Sequence, residues 1–121
     1  MIFDTDEILE DLAQRAGGKS PPHTFDRAAV KSALEEADRL ADGDLSAQPA
    51  ALFFAFARCS RSFGKLAMDF VLDIARAGAV ACGLELVAGI ELDIFRARIV
   101  RSEMTFDDLR AEFARRLRPL G

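Results

Sequence analysis

The stretch Cys59-Ser60-Arg61-Ser62-Phe63-Gly64-Lys65 gathers a thiol, two hydroxyls, two cations and a glycine in consecutive positions. Residues of this kind at a helix start suit anion binding, because the first amides of a helix are unpaired and carry positive potential. Arg61, Ser62, Gly64 and Lys65 are therefore the candidate ligands of a phosphate or carboxylate, with Ser62 expected to cap the helix that follows. The same residue types also build an ordinary polar turn between two helices, where Ser and Gly are common.

Two catalytic uses of this stretch fail on spacing. A phosphate-cradling Gly-x-x-x-x-Gly-Lys-[Ser/Thr] loop needs glycine at 59 and a hydroxyl at 66, and those positions are Cys59 and Leu66. A cysteine-phosphatase loop needs an arginine fork where Lys65 stands, since only the planar guanidinium grips phosphate in two places. Cys59 is expected to be a buried, inert thiol.

Other chemistry-bearing residues are sparse. His23 is the only imidazole and follows Pro21-Pro22 in a loop with no fixed partner in view, so general-base work is not expected of it. Zinc takes three or four Cys or His ligands, and the three such residues lie far apart at 23, 59 and 82. No metal and no cofactor is expected. Asp4, Asp6, Glu7, Glu10 and Asp11 read as a hydrated face, or as one that attracts a basic peptide.

The elements that must position these residues are helical. Asp4 and Glu7 mark the start of a helix over about 5–16, in which Ile8, Leu9 and Leu12 recur at helical spacing. Gly17-Gly18 and the two prolines make a loop to Thr24, the expected cap of a second helix carrying Val30, Ala33, Leu34, Ala37 and Leu40 on one face. Asp42-Gly43-Asp44 stops it. Ser46 is the next expected cap, and Ala50 to Ala57 is apolar all round, which predicts the most buried helix.

After the break at Ser60 to Gly64, Leu66, Phe70, Ile74 and Ala77 predict another core helix, with Gly78 as its stop. Residues 79–101 read as a turn and then a helix from about 86, with Ile90 to Ile94 the one segment that also fits a strand. Thr105 and Asp108 open the last helix, whose buried edge is Phe106, Leu109, Phe113 and Leu117. Arg115, Arg116 and Arg118 would then sit at the negative end of its dipole.

At 121 residues, half of them hydrophobic, with ten Phe and neither Trp nor Tyr, the expectation is one all-α domain over 1–121, a single bundle of about six helices. The two cysteines are too few for a disulfide scaffold and point to a reducing, cytoplasmic setting. The acidic N-terminus and the shortness of the apolar runs argue against secretion or membrane insertion. Residues 1–50 carry five basic and eleven acidic side chains, whereas residues 51–121 carry eleven basic and nine acidic. With a net charge of −4, a nucleic-acid partner is not expected.

With the helices in this order, the chain from Phe25 to Leu117 resembles the Doc branch of the Fic/Doc family. The likeness runs through Phe25 to Leu34, Ala50 to Arg58, the helix ending at Ala77-Gly78, and the closing segment from Val100 to Leu109. Family members carry a His-x-Phe-x-[Asp/Asn]-[Gly/Ala]-Asn-x-Arg loop between the two central helices. Its histidine deprotonates a target hydroxyl, and its small residue, following amides and arginine hold phosphate. Aligned without gaps, Ser60 stands at the base position, Leu66 at the asparagine and Met68 at the arginine.

Serine cannot replace imidazole as a base near neutral pH. The resemblance therefore implies a Fic/Doc-like domain without phosphoryl or nucleotidyl transfer, in which Arg61, Gly64 and Lys65 keep some capacity for anions. The function expected is protein binding or regulation, in a toxin-antitoxin-like or regulatory setting, through a Phe-lined groove with charges at its rim. Two alternatives stand beside it: an enzyme or nucleotide and phosphate sensor using the Arg61 to Lys65 loop, and a helical homodimer joined through a face around Phe95 and Ile99.

Overall fold

The computed structural model describes residues 3–15, 26–87 and 89–120, with the backbone alone for 64–68. Helix α1 spans Thr5–Arg15, and the Asp4 carboxylate accepts the Glu7 amide at 2.8 Å, as the spacing of these two residues predicts. Ile8, Leu9 and Leu12 form its buried stripe. The Gly17-Gly18 stop, the proline loop and His23 lie outside the described residues.

Helix α2, Arg27–Ala41, is capped by Asp26, which accepts the Ala29 amide at 3.2 Å. Thr24, the expected cap, lies outside the described residues; Asp26 immediately precedes the helix, where a side chain can reach its second or third amide. Val30, Ala33, Leu34 and Ala37 are buried as expected, and the helix stops where Asp42 takes a left-handed conformation with φ 48° and its amide bonds the Asp38 carbonyl.

Asp44, not Ser46, caps the next segment. Its carboxylate accepts both the amide and the hydroxyl of Ser46, at 2.9 and 2.7 Å, and starts a short 3-10 turn over Leu45–Ala47. That turn leads straight into α3, Gln48–Arg58, with Pro49 in its first turn where a missing N–H costs nothing. Every residue of α3 from Gln48 to Ala57 is buried except Phe54, which is half-buried. It packs against α2 and against the three helices that follow it, so it is the central helix that its all-round apolar character predicts.

Ser60–Leu66 is a 3-10 helix that runs without interruption into α4, Ala67–Ala81. Gly78 does not end α4. A Cβ at this glycine would lie 2.5 Å from Leu52 Cδ1, so its role is to let α3 and α4 approach each other. The chain turns at Gly83 instead, where φ is +74°.

The region that sequence patterns leave ambiguous resolves into a strand and then a helix. Leu84–Leu86 forms β1, which pairs antiparallel with β2, Leu117–Pro119, placing Leu84 opposite Pro119 and Leu86 opposite Leu117. Ile90 to Ile94 is not the strand. It leads into helix α5, Glu91–Val100, which buries Leu92, Phe95 and Ile99. The fold is thus mainly helical, with six α-helices and one two-stranded sheet among the described residues.

Helix α6, Phe106–Ala114, opens on a reciprocal pair: Thr105 Oγ1 accepts the Asp108 amide and Asp108 accepts the Thr105 amide, both at 3.1 Å. It is shorter than its apolar spacing predicts, because Leu117 is drawn into β2. Arg118 follows it there and lies opposite Glu85. Arg116 does serve the helix end, donating to the Glu112 carbonyl at 2.7 Å, and it also reaches the Glu91 carboxylate at 3.1 Å.

The core is a mesh of phenylalanines. Phe56 meets Phe70 edge to face with centroids 5.4 Å apart, Phe63 lies 5.0 Å from Phe70, and Phe53 meets Phe113 at 5.4 Å. Such contacts add about 0.5–1.5 kcal/mol each beyond the burial of the rings.

Candidate functional site

In the turn between α3 and α4, two exposed residues lie between two buried ones. Ser60 and Phe63 point into the protein and are 4% and 3% exposed, whereas Arg61 and Ser62 face solvent. The Ser62 amide is tied to the Cys59 carbonyl at 3.0 Å. Ser62 therefore lies inside the 3-10 helix, several residues before α4 begins at Ala67, and does not cap that helix. Gly64 and Lys65 are described by their backbone alone, so of the four candidate anion ligands the structure places Arg61 and Ser62 together on one exposed edge.

Cys59 is shielded beside this turn. Burial pushes its thiol up to about 11, and its Sγ donates to the Phe56 carbonyl at 3.6 Å. A thiol in this state is a poor nucleophile near neutral pH. The Cys82 thiol is also raised by burial, and neither cysteine is in a disulfide.

The cleft that adjoins the turn, between α2 and α3, is already neutralised. Arg58 pairs with Glu36 across it and lies 5.8 Å from the Phe54 ring. Arg58 therefore lends little free positive charge to the Arg61 edge.

A second cleft, of about 240 Å³, lies between α1 and α4. Its floor is Ile8, Phe70 and Ile74, with Phe3 and Ala77 completing the apolar lining. Acidic groups flank it: Glu7 and Asp11 from α1, and Asp73 from α4. Arg15 binds Asp11 at 2.7 Å and Asp73 at 2.8 Å, and its guanidinium carbon sits 5.7 Å from the Phe70 ring centre. Partial burial works against that charge, yet the two carboxylates raise the Arg15 pKa overall. The Glu7 carboxyl is raised by its hydrogen bond to Asp4 and by that neighbour's charge.

Sequence reasoning reads the acidic α1 face but does not find this cleft. The Asp11 and Arg15 pair shows in the helical spacing. Asp73, 58 residues away, carries no local sign that it completes the group.

Most of the phenylalanines pack inward, and Phe70 also floors the cleft between α1 and α4, which Phe3 helps to line. Phe53, Phe56, Phe63, Phe70 and Phe113 are each at most 3% exposed and belong to the core. Phe95 and Ile99, the expected dimer face, are buried at 8% and 3%, while the exposed face of α5 carries Ile94, with Ile90 just before the helix.

Among the described residues, no group of three or more His, Cys, Asp or Glu side chains is placed to hold a metal, and no helix is long and apolar enough to cross a membrane. No family model, no curated protein and no solved structure matches this chain.

Proposed function

We propose that this chain is a catalytically inert, Fic/Doc-like helical domain that acts in the cytoplasm by binding another protein, in a regulatory or toxin-antitoxin setting. The observation that carries the reading is the chemistry of the Ser60–Leu66 turn, which contains no side chain able to take a proton from a hydroxyl near neutral pH. The adjoining thiol is held protonated by burial.

The reading does not depend on one alignment. Phe63 is the turn's aromatic residue, and setting it on the phenylalanine of the family's loop moves the base position to Arg61, the asparagine to Ala67 and the arginine to Asp69. In both registers the histidine, asparagine and arginine are replaced. The exposed Ile90, Ile94 and Val87 and the cleft between α1 and α4 are among the apolar surfaces that the described residues offer a partner.

Titration with ATP, GTP and inorganic phosphate, followed through the backbone amides by NMR, tests this. The expected result is no saturable shift at residues 60–66. Specific, saturable shifts there would replace the binding module with the sensor, for which the exposed pair Arg61 and Ser62 is the structural basis.

A further inference from the structure

We infer that the cleft between α1 and α4 receives a single apolar side chain of a partner segment that is basic on either side of it. The inference rests on the binding-module reading and names the chemistry of the partner.

The volume, about 240 Å³, exceeds the ~150 Å³ of an apolar cavity that accepts a benzene ring, so a Leu- or Phe-sized side chain fits. The floor of Ile8, Phe70 and Ile74 offers that group only carbon, and an apolar floor selects an apolar occupant.

Charge fixes what flanks the occupant. Glu7, Asp11 and Asp73 place three carboxylates around the cleft against one cation, Arg15, which both aspartates already hold. The balance is therefore acidic, and Asp4 and Glu10 extend it just before and along α1, while Asp6 is paired with Arg27 at 2.6 Å. An anionic or phosphorylated segment meets repulsion here, whereas lysines or arginines beside the inserted side chain meet complementary charge.

The test uses three short probes: Lys-Lys-Phe-Lys-Lys, Glu-Glu-Phe-Glu-Glu and Lys-Lys-Ser-Lys-Lys, each titrated into the full chain with amide shifts as the readout. The first is expected to give saturable shifts confined to residues 3–15 and 69–77, with an affinity about ten-fold above either of the others, a factor typical of one buried group. Glu7→Lys and, independently, Ala77→Lys should each weaken it several-fold. Both positions are exposed, so a dispersed amide spectrum should survive the change. Glu35→Lys, the same charge change on the exposed face of α2, should not weaken it.

Equal binding of the serine peptide would reduce the effect to charge alone and overturn the inference. So would an equal loss with Glu35→Lys, shifts elsewhere, or no binding. None of these outcomes touches the binding-module reading, which falls only if nucleotide or phosphate shifts the amides of residues 60–66.

Discussion

Arg15 and Asp73 are 58 residues apart, yet the Arg15 guanidinium bonds the Asp73 carboxylate at 2.8 Å while holding Asp11 on its own helix. This pins the end of α1 to α4 across the acidic cleft. Both partners remain partly exposed, at 27% and 45% of their side-chain surface, so water screens much of the attraction. A double-mutant cycle of Arg15→Ala and Asp73→Ala, read by urea unfolding, should give a coupling of about 0.5–1 kcal/mol that shrinks in 1 M salt, on the order of the usual values for such pairs. Arg15→Ala alone should cost more than Asp73→Ala, because it also removes the packing over Phe70.

Three carboxylates give the fold an acid limit. The Asp108 carboxyl is held below its usual range by the Thr105 amide and hydroxyl. Glu91 is lowered by its own amide and that of Gly89, then by Arg116, and Asp44 is lowered by the Ser46 hydroxyl and amide. A carboxyl depressed in the folded state stabilises it above the unfolded value and loses that contribution as pH falls through the folded one. Glu7 has the opposite sign, since its raised carboxyl favours the folded state at acid pH. With three groups against one, the urea midpoint should be flat from pH 6 to 8, begin to fall near 4.5, the ordinary value for Glu91, and steepen below 3.8, that of Asp44 and Asp108. Thr105→Ala should cost about 1 kcal/mol at neutral pH and flatten the acid limb, whereas Thr105→Ser should do neither.

The two cysteines should differ in reactivity. A thiol pushed up to about 11 is thiolate to about one part in a thousand at pH 8, so Cys59 should alkylate slowly. Cys82 lies beside the Gly83 turn, and burial there is weaker than at Cys59. Timed iodoacetamide labelling followed by peptide mass spectrometry should show Cys82 modified well before Cys59 in the native protein, with the difference lost in urea. Fast labelling of Cys59 would mean that the turn opens and exposes the thiol.

What the sequence makes legible here is periodicity, and what it hides is competition between neighbouring signals. The stripes of α1, α2 and α4 and the all-apolar α3 follow from spacing alone, because a buried face must repeat every three or four residues. Caps were less legible. Thr24 and Ser46 are good capping residues, but Asp26 and Asp44 stand closer to the first turns and take the amides. Gly78 looks like a helix stop and is instead a point of close approach to Leu52, a distinction that depends on a residue from another helix. The β1 and β2 pairing joins segments more than thirty positions apart, each too short to show its own alternation. The polar break over Ser60 to Gly64 shows in the sequence, but its extension to Leu66 as a 3-10 helix does not, and the burial of Phe63 is set by its contacts with Phe56 and Phe70.

Helix α5 shows how far burial can depart from composition. Ile94 and Phe95 are adjacent large apolar residues, yet the first is 57% exposed and the second 8%, and Ile90 is 81% exposed. The helical rotation puts Phe95 and Ile99 on the inner side, where Arg116 lies 5.2 Å from the Phe95 ring. Phe95→Ala should therefore cost about 3–5 kcal/mol, as truncation of a buried aromatic usually does. Ile90→Ser and Ile94→Ser should each cost far less, about 0.5 kcal/mol, since both side chains are mostly exposed. If the isoleucines instead form a contact between two copies, the unfolding midpoint of the unchanged chain will rise with the logarithm of protein concentration, and their replacement will lower it and remove that dependence. Measuring both substitutions across a dilution series therefore separates an exposed face that awaits a partner from one that self-association already covers.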